Sequence, residues 1–247
     1  MQYTHSSLEN PFSFVIQEKE SNDQYSIVGL IKDAFTPEES QYIFEHLQTL
    51  EFRKGETSFG AIPRDQIWFN KCGEEFGKRA GWKNSDNLRW KSCPMDSYLD
   101  NICEQVQTKF NSYKLDNISG VNASRFDSIL ANKYVGGRSS IKPHRDSEEV
   151  FGNNPTVMIL SVGYPREIIF KRIIYNPEKL KSIKIDKEYN GCSEFRITLP
   201  AGSLLFMGGE TQKYYSHEIQ KLTHSLESES EQTDNIRYSL TFRQYSF

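Results

Sequence analysis

The feature that most constrains this sequence is a change of texture at Phe126. Beyond it, short apolar or alternating stretches follow one another, at 126–135, 139–144, 156–163, 167–174, 194–199, 203–207, 214–220 and 236–245. Turn residues separate most of them: Gly136-Gly137, Asn153-Asn154-Pro155, Pro200-Ala201-Gly202 and Gly208-Gly209. Stretches of this length and period are strands rather than helices. Many short strands without helices between them must bury their apolar faces against one another, as a sandwich or jelly roll.

The first half reads differently. Residues 1–22 are polar and are expected to be loose. Tyr25 to Leu30 predicts a short strand. Thr36-Pro37-Glu38-Glu39 is a helix start, with Thr36 as N-cap, Pro37 at the first helical position and acids in the first turn. Tyr42, Ile43, Leu47 and Leu50 give that helix an apolar side to about residue 51. Pro94 opens a second helix to about Phe110, with Tyr98, Leu99, Ile102, Val106 and Phe110 on one face. Residues 52–92 have no clean period and are expected as short strands and loops. The division expected is a loose segment at 1–22, an N-terminal lobe with two helices at 23–125, and a β core at 126–247. Two inserts interrupt the core: a Lys-rich one at 175–190 and an acidic, Ser-rich one at 223–235. The fold class is α+β, mainly β.

Composition excludes several functions. A net charge of −3 gives no global pull toward nucleic acid or anionic lipid, so such binding must come from local patches. Cys72, Cys93, Cys103 and Cys192 are widely spaced and form neither a zinc motif nor a disulfide framework. The N-terminus has no leader-like apolar stretch, and no apolar run approaches the ~20 residues a membrane helix needs. A soluble intracellular monomer with no membrane partner is expected, with nucleus and cytoplasm left open.

His144-Arg145-Asp146 is the chemical centre. Alternate strand residues point the same way, so His144 and Asp146 can offer an imidazole and a carboxylate to one metal, while Arg145 points elsewhere. Two His and one carboxylate make the facial triad of non-haem Fe(II) oxygenases, which leaves three positions open. A surface His–Asp pair is the commoner meaning of such a triplet, so a third ligand is required. His5 lies in the N-terminal tail and His46 on the first helix. His217 sits in the strand-like run Tyr214-Tyr215-Ser216-His217-Glu218-Ile219, and His224 opens the acidic insert. His217 is the expected ligand, with His224 as the second choice.

The run Ile236 to Arg243 alternates strictly. Ile236, Tyr238, Leu240 and Phe242 share one face; Arg237, Ser239, Thr241 and Arg243 share the other. The two Arg Cα atoms would lie about 20 Å apart at the usual strand rise. Two buried Arg on one inward face need anions, and a small dicarboxylate would satisfy both. On these residues alone, a solvent-facing edge strand with two surface Arg is the stronger reading.

Together these stretches resemble the AlkB family. Asn132-Lys133-Tyr134, Gly137, Ile141 and His144-Arg145-Asp146-Ser147-Glu148 are similar to its NxY and HxD block. Ile159 to Gly163, Arg166 and Ile169-Phe170 resemble its next strand pair. Gly202 to Met207 and Tyr215 to Ile219 resemble its GSLLxM and YHxI segments, and Arg237 to Arg243 its RxNLTFR strand. Pro63-Arg64 and Trp68-Phe69 faintly resemble the PR and WY stretch of its repair members.

The resemblance implies a double-stranded β-helix core with helices outside it, and an N-terminal nucleotide lid. It implies Fe(II) on His144, Asp146 and His217, with 2-oxoglutarate and O₂ as cosubstrates. Arg237 would take the far carboxylate with Tyr134. Arg243 would lie by the end that chelates iron, near Asn132. Ser239 stands where many members have Asn, which weakens one cosubstrate contact. Glu148 would contact the flipped base, Arg64 and Arg138 would lie toward the substrate, and Trp82 or Phe76 would stack on the base.

The activity implied is oxidative demethylation of N-alkylated bases such as 1-methyladenine and 3-methylcytosine in DNA or RNA, giving succinate, CO₂ and formaldehyde. Lys133, Arg138, Lys142 and Arg145 form a basic run beside the ligands that suits a phosphate backbone. Alternatives are a related dioxygenase acting on a protein or lipid, or a non-catalytic nucleic-acid-binding barrel.

Overall fold

A computed structural model describes residues 12–20, 23–57, 60–78, 90–118, 120–121, 125–178, 183–222 and 235–245. Its strands are β1 (Phe12–Lys19), β2 (Tyr25–Ile31), β3 (Glu56–Thr57), β4 (Gly60–Ala61), β5 (Asp65–Asn70), β6 (Ser92–Cys93), β7 (Ser128–Val135), β8 (Ile141–His144), β9 (Val157–Gly163), β10 (Arg166–Arg172), β11 (Glu194–Leu199), β12 (Ser203–Gly209), β13 (Tyr215–Ile219) and β14 (Ile236–Arg243). The helices are α1 (Pro37–Gln48), α2 (Ser97–Ser112), α3 (Glu148–Phe151) and α4 (Thr211–Tyr214).

Eight strands form the major sheet in the order β1-β2-β12-β9-β14-β7-β5-β6, and four form the minor sheet in the order β11-β10-β13-β8. The result is a jelly roll. Its interior is an apolar layer between the sheets, with Val28, Leu30, Val157, Ile159 and Leu205 facing Ile168, Phe170, Ile197 and Tyr215. The outer face of the major sheet is covered as well: Ile43 and Leu47 of α1, and Leu99, Ile102, Val106 and Phe110 of α2, pack with Leu160, Phe206, Leu240 and Phe242.

Helix positions follow from local chemistry. Thr36 caps α1 in a complete capping box with Glu39, and Asp96 caps α2 by accepting from the Leu99 N–H at 2.8 Å. Tyr42, expected on the apolar side of α1, is 65% exposed. The helix meets the sheet along Ile43 and Leu47, and Tyr42 falls just off that line. Gly202, at φ +81, lets the β11–β12 turn lie against the β2–α1 loop. A Cβ there would come within 2.4 Å of the Phe35 carbonyl.

Residues before 126 do not form a separate lobe in strand pairing. β1, β2, β5 and β6 all belong to the major sheet. Within the segment expected to be loose, Phe12–Lys19 is an edge strand paired antiparallel with β2. Part of the Lys-rich insert is also tied down: Tyr189 donates its hydroxyl to Glu18, and Ile185 bridges to Ile173. The acidic insert, apart from Asn235, lies outside the described residues. All four Cys are free thiols. No helix among the described residues is long and apolar enough to cross a membrane.

Candidate active site

β14 is not an edge strand. It lies between β9 and β7, in the middle of the major sheet. Tyr238, Leu240 and Phe242 pack toward the helices, so Arg237, Ser239, Thr241 and Arg243 are forced into the interior between the sheets, each buried. With Asn132 and Tyr134 of β7, and His144 and His217 of the minor sheet, they line one cavity.

β8 and β13 pair antiparallel with His144 directly opposite His217, so two residues far apart in sequence present their rings side by side, 4.2 Å between centroids. Asp146 follows just past the end of β8. One ligand atom from each of His144, Asp146 and His217 lies within 4.8 Å of the others. The Nδ1 of His144 contacts the Lys142 carbonyl at 3.0 Å. That contact fixes Nδ1 as the protonated nitrogen and leaves Nε2 as the lone-pair donor. His224 lies outside the described residues. His46 sits on α1, 2.9 Å from Asp96, away from the triad.

Arg243 grips Asp146 with a two-pronged ion pair, Nε to Oδ2 and Nη2 to Oδ1, both 2.8 Å. Burial alone would raise the Asp146 carboxyl, but Arg243 and the two His outweigh it and hold it at about 2. Burial, with His144 adjacent, pushes His217 down to about 3, and burial also lowers His144. The site therefore presents neutral imidazoles and an ionised carboxylate, the states that bind a metal.

All three groups are depressed, so below about pH 6.5 the unfolded chain takes up protons that the fold refuses. The contribution of these three groups to the stability of the metal-free protein is complete above that pH and declines with acid. Its thermal midpoint is expected to be lower at pH 5 than at pH 7.5, and His217→Ala should flatten the slope. A midpoint independent of pH in wild type would contradict this electrostatic picture.

The geometry suits a polar guest. Buried polar atoms are nearly always hydrogen-bonded. Yet His217 Nδ1, Arg237 Nη1 and Arg243 Nη1 are buried without partners. Arg237 is 1% exposed, donates from Nε to Ser161 Oγ at 2.9 Å, and lies 4.9 Å from the Tyr134 ring centre. No carboxylate pairs with it among the described residues. Burial lowers its pKa, and the neighbouring Arg166 adds to that. An anion beside Arg237 would relieve this cost. These residues fit a divalent iron next to a small dicarboxylate.

Asn132 organises the wall between them. Its Oδ1 accepts from Arg64 Nε at 2.9 Å and from Gln66 Nε2 at 2.8 Å, and its amide nitrogen reaches Ser239 Oγ at 3.4 Å. Arg243 also lines this cavity, but its fork is on Asp146 rather than free at a cosubstrate end. Arg64 further lines an adjoining surface groove of about 300 Å³ with Lys54, Lys133 and Arg138. Arg138 is exposed. Arg145 turns away, over the ring of Tyr175.

Glu148 opens α3 and accepts from the Asn154 N–H at 3.0 Å; it does not line the cavity. Phe76 is no free stacking platform. It is 8% exposed and stacked on Trp90 within a small cluster with Trp68 and Phe151. Trp82 lies outside the described residues. Sequence reasoning misses Gln66 and Gln212. Gln66 carries a signal, as a polar residue on the face of β5 shared with Trp68 and Asn70. Gln212 carries none, because it stands in a turn.

A jelly roll that turns two imidazoles and a carboxylate toward a buried Arg defines an Fe(II)- and 2-oxoglutarate-dependent dioxygenase. The model of the 2OG-Fe(II) oxygenase superfamily matches residues 28–243. The chain belongs to that superfamily, and AlkB-type proteins are among the curated relatives that it resembles. It is 30% identical over 131 residues to DNA oxidative demethylase ALKBH2 of Arabidopsis thaliana, covering 49% of this chain and 38% of that protein. It is 30% identical over 118 residues to alpha-ketoglutarate-dependent dioxygenase alkB homolog 3 of Bos taurus, covering 48% of this chain and 36% of that protein. The match thus spans less than half the length of these curated relatives. The solved structure of OsALKBH1 superposes with a TM-score of 0.56 at 14% identity, over 88% of this chain and 96% of that one, a likeness of fold.

Proposed function

We propose that this chain is an oxidative demethylase of N-alkylated bases in DNA or RNA. The observation that carries the reading is the His144, Asp146 and His217 cluster beside the buried Arg237, whose Nη1 has no partner among the described residues, in a chain with AlkB-type relatives. His144, Asp146 and His217 would hold Fe(II). When bound with 2-oxoglutarate and O₂, iron supplies the oxidising power that hydroxylates an N-methyl group, which then leaves as formaldehyde.

The chain's own residues do the rest. Arg237 binds the far carboxylate, with Tyr134 stacked beside it and Ser161 holding its Nε. Arg243 orients the Asp146 carboxylate. Asn132, fixed by Arg64 and Gln66, offers its amide toward the cavity with Ser239. The packed layer of Ile159, Ile168 and Leu199 keeps bulk water from the reacting end.

Nucleic acid as the partner is supported by the basic groove. Lys54, Arg64 and Arg138 line it with Asp65, Arg64 links its wall to Asn132 in the cavity, and Lys133 lines its far side, over the Tyr238 ring. A phosphate backbone seated there would carry a flipped or single-stranded base toward the metal. Arg138→Ala removes an exposed cation and should leave the fold intact. It is expected to weaken oligonucleotide binding evenly across sequences and to lower the salt-dependence slope by about 1. An unchanged slope would remove Arg138 from the interface.

The decisive assay incubates the iron-loaded protein with oligonucleotides carrying 1-methyladenine or 3-methylcytosine. Formaldehyde release with restored base is expected. Steady succinate production without any base product, stimulated instead by peptides, would overturn the nucleic-acid assignment.

A further inference from the structure

Asp146 lies past the last residue of β8, so no strand ladder holds its backbone. Its N–H is held instead by a side chain from the far side of the site. Gln212 Oε1 accepts that N–H at 2.8 Å, across 66 residues of sequence. The Gln212 carbonyl also accepts from Arg145 Nη1 at 3.3 Å, so one residue holds both positions that follow His144. Gln212 is 1% exposed. Its amide nitrogen meets the Met207 sulfur at 3.5 Å, a weak acceptor, which leaves the oxygen pointing toward Asp146.

The turn that carries Gln212 is itself anchored. Thr211 Oγ1 accepts the Ile27 N–H at 2.8 Å and lies within 2.7 Å of the Gly208 carbonyl, and Glu210 N–H donates to the Tyr25 carbonyl at 2.8 Å. α4 is thereby fixed to β2 and β12 of the major sheet, and it leads directly into β13 with His217. Asp146 is thus gripped at two ends: by Gln212 at its backbone and by Arg243 at its carboxylate.

We infer that Gln212 is a positioning residue for the metal carboxylate, setting how tightly the triad binds a divalent ion. The inference rests on the reading that His144, Asp146 and His217 hold a metal. The Gln212 hydrogen bond fixes the Asp146 backbone, Arg243 fixes the rotation of the carboxylate, and together they present one oxygen to the two imidazoles. Without the Gln212 contact, the segment after His144 keeps its Arg243 ion pair but loses its place relative to His217.

The test is titration of the metal-free protein with Co(II) or Mn(II), followed by calorimetry and by the Co(II) absorption spectrum. Gln212→Met keeps length and suits the Met207 contact but removes the acceptor. It should weaken metal binding by about 10–100-fold, the usual size of an outer-sphere effect, and alter the Co(II) spectrum. Gln212→Glu keeps an acceptor oxygen at the same reach and should stay within a few-fold of wild type. Full metal affinity in folded Gln212→Met overturns the inference. Should Gln212→Met fail to fold, Gln212→Leu, which also lacks the acceptor, decides: wild-type metal affinity overturns the inference, and affinity lowered about 10-fold or more with an altered Co(II) spectrum supports it. A wild type that binds no metal overturns the metal reading itself, whereas a wild type that binds with Gln212→Met equal to it overturns only the role of Gln212.

Discussion

Asp146→Ala is expected to abolish both Co(II) binding and 2-oxoglutarate turnover, and also to destabilise the metal-free protein. The first effect follows from losing the one anionic ligand of the triad, which leaves two neutral imidazoles for a dication. The second follows from Arg243. It is 5% exposed, and its fork closes on the two carboxylate oxygens of Asp146. Removing one member of a buried ion pair strands the other, at a cost of about 3–5 kcal/mol. Denaturant unfolding of the metal-free variant measures this. Asp146→Asn keeps the volume and one acceptor oxygen, so it should recover part of the stability while still failing to turn over. Turnover by Asp146→Ala at the wild-type rate would mean that the metal centre lies elsewhere.

Arg237→Met should have effects of opposite sign on stability and function. Arg237 is buried, its Nη1 has no partner, and among the described residues Ser161 and Tyr134 are what offset its charge. In the protein without cosubstrate this charge is a liability, and an apolar side chain of similar length should leave the thermal midpoint unchanged or raise it. With cosubstrate the charge is the point. A charge-assisted hydrogen-bonded pair contributes about 1.5–3 kcal/mol, so the half-saturating concentration of 2-oxoglutarate should rise about 10–100-fold. The rate at saturation should fall much less. An unaltered 2-oxoglutarate requirement would show that the diacid is held somewhere else.

The contrast between the two Arg shows what the sequence discloses and what it withholds. Period-two alternation put Arg237 and Arg243 on one face of β14, and both are there. Alternation does not say which residues of the opposite sheet will meet them. Arg243 meets Asp146 because β8 ends beneath it, a fact of three-dimensional closure. The same limit separates His144 and Asp146, visible as a local triplet, from their alignment with His217, which required the antiparallel register of β8 and β13.

α1 and α2 were legible because capping residues and apolar spacing are local signals, whereas the single-turn α3 and α4 carry too few residues for either. β1 was not: its apolar run Phe12, Phe14, Val15 and Ile16 is short, lies inside an otherwise polar N-terminal segment and forms an edge strand with much of its surface in water. Phe76 shows the remaining ambiguity: an aromatic near an expected lid reads equally as a base platform or as core, and packing against Trp68 and Trp90 made it core.

The central place of β14 also bears on synthesis. It follows every other described strand in sequence, yet β9 and β7 join through it. As the chain leaves the ribosome, the earlier strands must wait as two unfinished half-sheets, each with a bare edge at the middle of the future molecule. Nascent chains in that state are open to mispairing, so early termination before residue 236 should yield insoluble protein rather than a folded, inactive one.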